Sequence, residues 1–448
     1  MHRQPDFLKN LQNELANGRL WVDRSIVLAY AIAAGLSVVA FTLLADWAFA
    51  QFERILHWQG GWAVLVWTPA CTAAIVWATR RFAPGAAGSG IPQVMAALDP
   101  AVDDTQRSRF VSLRLTVAKI VLGGAGFLAG LSIGREGPSV QVAAGVMQHA
   151  RRWLGPHSGI TGHGLLVAGG AAGIAAAFNA PLAGVVFAIE ELSRKLESRS
   201  SGLIITAIVL AGLMGVSAFG NRSYFGVIQV TRLDWDALLP GLMVVLACGV
   251  LGGLFAKLMA ASLTGSPERM NRLRARFPVR FAAGGGLAIA VIGLVTGGAT
   301  FGAGSEAVKH MLEGHADVPS FYVTLKFIAT WLAAWCGVPG GIFAPSLSIG
   351  AGVGHNVSLL AGADIAPALI AMGMAAFLAA VTQAPLTAFI IVMEMVDGHA
   401  MVLSLMASAM LASLVSRMLA RPLYETLALY MVAGVTAPPP PDPPPPSP

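Results

Sequence analysis

The sequence predicts an all-α polytopic membrane protein built from two repeated halves, and three observations carry that prediction. Of its 448 residues 56% are hydrophobic and only 12% charged, with a mean hydropathy of +0.69. A soluble domain carries about twice that share of charge. The charges cluster and leave long apolar blocks, such as Ser25 to Ala50, Gly164 to Ile189, Leu238 to Leu263 and Ala366 to Met395. Each is long enough to cross a hydrocarbon core of about 30 Å; there are roughly a dozen such blocks, several short enough to be re-entrant. Finally, glycine- and proline-bearing motifs of the first half recur in order in the second.

The ends of the chain bound the membrane part. Residues Met1 to Asp23 mix acids, bases and amides with apolar residues and lack the short apolar core and cleavage site of a signal peptide. Residues 1–24 therefore read as a cytoplasmic amphipathic segment, 25–430 as the transmembrane domain with halves at about 25–220 and 236–430, and 431–448 as a disordered proline-rich tail. Basic loops hold Arg80 and Arg81, Arg107 to Arg114, the five arginines between Ser266 and Arg280, and Arg417 with Arg421. The positive-inside rule places them, and both termini, in the cytoplasm. The loop with Glu306, Glu313 and Asp317 is acidic and should face outward. The net charge of +6 is thus topological. The bases are spread over separate short loops, which excludes a nucleic-acid partner. Cys71, Cys248 and Cys336 sit apart in apolar surroundings, with no metal-ligand spacing and no disulfide framework.

The repeat is detailed. Gly134-Arg135-Glu136-Gly137-Pro138-Ser139 is echoed by Gly341-Ile342-Phe343-Ala344-Pro345-Ser346, and Phe178-Asn179-Ala180-Pro181-Leu182 by Thr382-Gln383-Ala384-Pro385-Leu386. Gly88-Ser89-Gly90 has a weaker counterpart in Gly302 to Ser305. Repeated halves are a common plan for secondary transporters, with the substrate held where interrupted helices meet. The alignment pairs Glu190 with Glu394, but Glu191 with Met395 and Glu136 with Phe343. Packing needs are met by both halves alike, so an acid present in one half alone points to a single task.

Four places combine a helix break with a proline suited to a first helical turn: Gly88-Ser89-Gly90-Ile91-Pro92, Gly134 to Pro138, Gly340 to Pro345, and Arg421-Pro422-Leu423-Tyr424. A helix that starts inside the membrane leaves N–H groups without partners, each costing several kcal/mol in hydrocarbon. An anion satisfies them and meets the positive end of the helix dipole. A full cationic partner would hold that anion too tightly for release, so the expectation is donors without a counter-charge. Ser89 and Tyr424 offer hydroxyls; Ile342 and Phe343 offer amides beside two glycines. Each has a plainer reading. Ser89 could cap its helix, Tyr424 could be an interface aromatic, and Phe343 could pack. Glu136 could likewise be a capping acid. Alternatively its carboxylate occupies an anion position and leaves when protonated, which would make it gate and proton carrier together. Of Glu190 and Glu191, about 100° apart on a helix, at most one should face the interior, and the repeat nominates Glu191.

These motifs, with the late tyrosine of Arg421-Pro422-Leu423-Tyr424, resemble the signatures of the CLC family of chloride channels and proton/chloride antiporters, over about residues 25–430. The resemblance implies a homodimer with one pore per subunit and two inverted-topology halves. It implies a central chloride held by Ser89, Tyr424 and the amides of Ile342 and Phe343, with the amides of Arg135 and Gly137 at a secondary anion position. Glu136 falls on the external gating glutamate and Glu191 on the internal proton-transfer glutamate, which favours proton/chloride antiport over a passive channel. Family members selective for nitrate tend to carry proline at the Ser89 position, and fluoride exporters alter that serine and the proline after the gate. Ser89 and Pro138 thus favour chloride. Gln93 and Met95 stand where familiar bacterial antiporters carry acids, which leaves the inner proton route open. The resemblance implies a bacterial inner-membrane protein without the C-terminal nucleotide-binding modules of eukaryotic members, and no cofactor. Two rivals lie outside transport. Gly130-Leu131-Ser132-Ile133-Gly134 matches a hydrolase nucleophile pattern, which has meaning only on a strand–turn–helix elbow with Asp and His partners. A non-transporting scaffold would need neither Glu136 nor four interrupted helices.

Overall fold

The computed structural model describes residues 18–155, 158–193, 201–220, 225, 237–314 and 318–436. Arg194, Lys195, Arg199, Asp317, most of the N-terminal segment and nearly all of the proline-rich tail lie outside the described residues. In the first half the helices are α1 (Gly18–His57), α2 (Val64–Phe82), α3 (Ile91–Leu98), α4 (Leu113–Leu128), α5 (Glu136–His149), α6 (Gly162–Ala177), α7 (Pro181–Phe187) and α8 (Ser201–Phe219). The second half has α9 (Leu238–Thr264), α10 (Glu268–Arg276), α11 (Pro278–Val295), α12 (Ser305–Leu312), α13 (Tyr322–Cys336), α14 (Phe343–Ala361), α15 (Ala366–Thr382), α16 (Pro385–Met395), α17 (Val402–Arg417) and α18 (Leu423–Thr436). No strand ladder occurs among the described residues, only two isolated bridges.

Helix lengths follow from the breaks. Helices α1, α8, α9, α11 and the stretch His399–Arg417 are long and apolar enough to span a membrane. Helix α1 alone is 40 residues, about 60 Å at the helical rise, so it tilts or protrudes. Two apolar blocks are divided. Gly164 to Ile189 breaks after Phe178, where Asn179 is left-handed (φ 56°), and Ala366 to Met395 breaks at Gln383 (φ 61°). In each case an Ala-Pro pair follows, and proline disfavours helical backbone in the residue before it. The N-terminal boundary also moves. Helix α1 begins at Gly18, and Asp23 is buried, pairing with Arg19 at 3.6 Å and accepting from the Gly155 amide at 3.4 Å. Residues 18–24 are thus the first turns of the first membrane helix, and the last helix runs past 430 to Thr436.

The two halves have inverted topology, and reciprocal hydrogen bonds mark their approximate two-fold relation. Gly134 N donates to Gly341 O at 2.8 Å, and Gly341 N donates to Gly134 O at 2.7 Å. The Glu190 carboxylate accepts from the amides of Leu386 (3.0 Å) and Thr387 (2.6 Å), at the start of α16. In mirror fashion Glu394 accepts from Leu182 (3.3 Å) and Ala183 (2.7 Å), at the start of α7. Two fully buried lysines complete the pattern. Lys119 donates to the carbonyls of Ala86 and Gly88 at 2.8 and 2.6 Å, and Lys326 to those of Thr300 and Gly302 at 3.0 and 2.8 Å. Each lysine thereby gives a charged donor to carbonyls of the glycine turns before α3 and α12.

Glu190 and Glu394 are therefore matched N-terminal caps, each satisfying orphan amides of a re-entrant helix in the other half. Replacing either by alanine is expected to cost about 1–2 kcal/mol of stability, by loss of two charge-assisted hydrogen bonds at a helix start. The cost should be similar for both. Thermal unfolding of the detergent-solubilised variants measures it, and a large effect at one site alone would contradict the reciprocal arrangement.

Candidate functional site

The four helix starts read from sequence open α3, α5, α14 and α18. Glycines let three of them converge. Gly88 and Gly90 are left-handed (φ 74° and 111°), which turns the chain sharply before α3. Gln93 locks this turn, accepting from the Gly90 amide at 2.9 Å and donating to Ala87 O at 2.5 Å. The glutamine at this position is thus a capping residue. A side chain at Gly137 would overlap the Ser89 hydroxyl, and one at Gly341 would lie 3.0 Å from the Gly137 amide. Gly137 therefore touches both Ser89 and Gly341, joining the starts of α3 and α5 to the segment before α14.

Glu136 is the first residue of α5 and is 1% exposed. Its carboxylate is reached by the backbone amide of Ala344, in the first turn of α14, and by those of Arg135 and Glu136. Its Oε2 atom lacks a hydrogen-bond partner among the described residues and lies against Gly134. A side chain at Gly134 would overlap it, so the glycine makes room for the acid. Arg135 turns away, and its Nη1 pairs with Asp46 at 2.5 Å. Ile342 precedes and Phe343 opens α14, so their amides belong to the helix-start groups without intrahelical acceptors. The Phe343 ring is also a packing element, stacked on Tyr424 with centroids 5.8 Å apart and set edge-on to Phe187 at 6.5 Å.

Ser89 Oγ and Tyr424 Oη are buried without a partner in hydrogen-bonding geometry among the described residues. The two hydroxyls lie within hydrogen-bonding reach of one another but outside good hydrogen-bond geometry. Both line a cavity of about 190 Å³ together with Gly340, Ile342 and Arg274. Unsatisfied buried hydroxyls are costly, so a pair of them facing one cavity marks a place where a ligand acceptor belongs. Arg274 from α10 also borders this cavity.

Glu191 lies elsewhere. A π-type turn, Ala188–Leu192, follows α7 and carries both acids. It turns Glu190 onto the start of α16 and brings the half-buried Glu191 to a separate cavity of about 850 Å³, lined also by Asp99, His163, Arg417 and Glu425. Pro422 borders that cavity while Leu423 and Tyr424 border the smaller one, so the start of α18 divides the two. A third cavity, about 570 Å³, is lined by Asp46, Glu53, Arg135, Glu306 and Lys309, where Lys309 pairs with Glu306 at 2.9 Å.

Sequence reasoning missed Lys119, Lys326 and Arg274. The lysines had a signal: each interrupts an apolar helix, at positions that the Gly134/Gly341 register superposes. Arg274 had none, since α10 has no counterpart in the first half. The hydrolase pattern dissolves. Ser132 is fully buried and its hydroxyl hydrogen-bonds Thr330 at 2.8 Å, in a loop between helices rather than on an elbow.

Comparison with known proteins agrees with this architecture. A family model described as voltage gated chloride channel matches residues 71–417. The crystal structure of a slow cyanobacterial Cl⁻/H⁺ antiporter superposes with a TM-score of 0.79 at 24% identity, covering 92% of this chain and 98% of that one. A CLC-type fluoride/proton antiporter does so with a TM-score of 0.74 at 21% identity, covering 91% and 98%. A eukaryotic CLC transporter gives 0.74 at 23% identity, covering 92% of this chain and 74% of that one. With the family model spanning most of its length and these folds superposing on it, the chain belongs to the voltage-gated chloride channel (CLC) family of multi-pass membrane proteins.

Proposed function

We propose that the protein exchanges chloride for protons, with Glu136 as gate and external proton carrier and Glu191 as internal proton donor. The observation that supports this most is the buried Glu136 carboxylate among convergent helix-start amides, near two buried hydroxyls that lack partners. A carboxylate there satisfies the same donors that a halide would, so the two compete for one position. Protonation cancels the charge that holds the side chain; it leaves, and an anion can enter. Ser89, Tyr424 and the Ile342 and Phe343 amides then hold chloride centrally, and the Arg135 and Gly137 amides form the position Glu136 vacates. Hydroxyls and amides bind a dehydrated halide without trapping it.

A passive channel would also use the gate. Exchange is favoured by Glu191, an acid in a cavity separate from that of Ser89 and Tyr424, which gives protons their own inner route. The halves match at the caps Glu190 and Glu394 but not at Glu191 and Met395, so an acid at 191 answers no need that the two halves share. The arginine-rich loops face the cytoplasm of a plasma membrane, and the functional unit is a homodimer. In vesicles loaded with chloride and clamped at zero potential, efflux of chloride should draw protons inward, acidifying the interior against their gradient. Chloride efflux with no pH change would leave the channel reading and remove the exchanger.

A further inference from the structure

The short helix α10 has no partner in the other half, and it is strongly basic, with Arg269, Arg272, Arg274 and Arg276 against Glu268. Arg269, Arg272 and Arg276 are exposed, but Arg274 is half-buried. The helix is held in place from inside. Asn271, one turn before Arg274 on the same face, accepts a hydrogen bond from the Trp335 indole at 3.2 Å. Trp335 is itself set edge-on to Phe281, with centroids 5.0 Å apart. This anchoring directs Arg274 inward, where its Nη2 would lie 3.4 Å from a side chain added at Gly337. Gly337 is left-handed (φ 85°), so the backbone there turns and leaves room for the guanidinium.

Arg274 thereby reaches the cavity of Ser89, Ile342 and Tyr424, whose lining among the described residues holds no carboxylate and no other cation. Its ionisable neighbours are Arg80, a like charge, the Tyr430 phenol and the Cys336 thiol. No carboxylate is ion-paired with Arg274 among the described residues. A guanidinium aimed into an apolar-walled cavity, beside another cation and without an acid, concentrates anions there. Its half-exposed place at the cavity edge suits attraction and release, where a fully desolvated pair would hold the anion.

We propose that Arg274 recruits the transported anion, drawing chloride from the arginine-rich face into the cavity that leads to Ser89 and Tyr424. This rests on the proposed role of that cavity in anion transport, and holds for exchanger and channel alike. The sequence around Arg274 lies outside the repeat, so the recruiting charge is a feature of one mouth only.

The test is the chloride dependence of initial chloride flux through reconstituted protein, at constant ionic strength. Arg274→Gln should reduce flux at low chloride roughly fivefold or more while leaving saturating flux near wild type, as loss of a steering charge does. Arg274→Lys should retain most low-chloride flux, and Arg274→Glu should lower it further. Arg272→Gln, exposed on the same helix, should change it much less, and the proton-to-chloride ratio should not move in any variant. The assignment is overturned if Arg274→Gln matches wild type at low chloride, or if Arg272→Gln falls equally, which would indicate general surface charge. It is also overturned if Arg274→Gln and Arg274→Lys both lose saturating flux, which would indicate packing. A wild-type protein that moves chloride without protons would sink exchange and leave Arg274 in place; one that moves no anion would remove both.

Discussion

Replacing Glu136 by alanine is expected to abolish proton transport while chloride continues to cross. The expectation follows from where the carboxylate lies. It is buried at the first turn of α5, it faces the first turn of α14, and one of its oxygens lacks a protein partner. Alanine removes both the charge that competes with chloride and the group that carries the proton. Proton flux should fall at least about a hundredfold, the loss typical when a proton-transfer group is deleted. Chloride flux should persist and lose its dependence on pH, because nothing titratable then closes the path. Flux and pH recordings on the same vesicles measure both. Intact coupling in Glu136→Ala would remove this residue from the mechanism. The fold should tolerate the change, since the side chain is held by backbone amides and no ion pair is broken.

Glu191→Gln should also stop protons while chloride continues, with a different dependence on pH. The glutamine keeps size and hydrogen-bonding capacity but cannot release a proton, so proton flux should again fall at least about a hundredfold. Chloride flux should stay pH-dependent, because Glu136 remains in place and can still be protonated from its own side. That residual pH dependence distinguishes the inner acid from the outer one. If protons still cross in Glu191→Gln, the inner route runs elsewhere, through Glu190 or water. Glu190 is the less suited of the pair, because its two oxygens are engaged with the Leu386 and Thr387 amides.

The features legible in the sequence were those with a local physical cause. Scarce charge and long apolar blocks announce a membrane protein because hydrocarbon penalises both polar side chains and unpaired backbone. Gly88, Gly90, Pro92, Pro138, Pro345 and Pro422 announce helix starts because few residues can take their places there. The internal alignment separates Glu190 from Glu191, and the reciprocal caps give the reason: Glu190 and Glu394 do the same job across a two-fold relation. What stayed hidden depends on tertiary placement. The breaks at Asn179 and Gln383 were signalled only by the Ala-Pro pairs after them, which the apolar composition of the two blocks masks. The buried Lys119 and Lys326 looked like stray charges until their carbonyl partners were in view. Arg274 was one arginine among five, and only the docking of α10 on Trp335 distinguishes it.

The most direct test of the exchange mechanism is the reversal potential of the reconstituted protein with equal chloride on both sides and a pH gradient between them. Obligatory exchange couples proton and chloride movement in one cycle, so the current should reverse at a potential displaced from zero in proportion to the pH difference. The displacement should vanish in Glu136→Ala and in Glu191→Gln. A wild-type current that reverses at zero, whatever the pH gradient, would show chloride moving alone and would contradict the account.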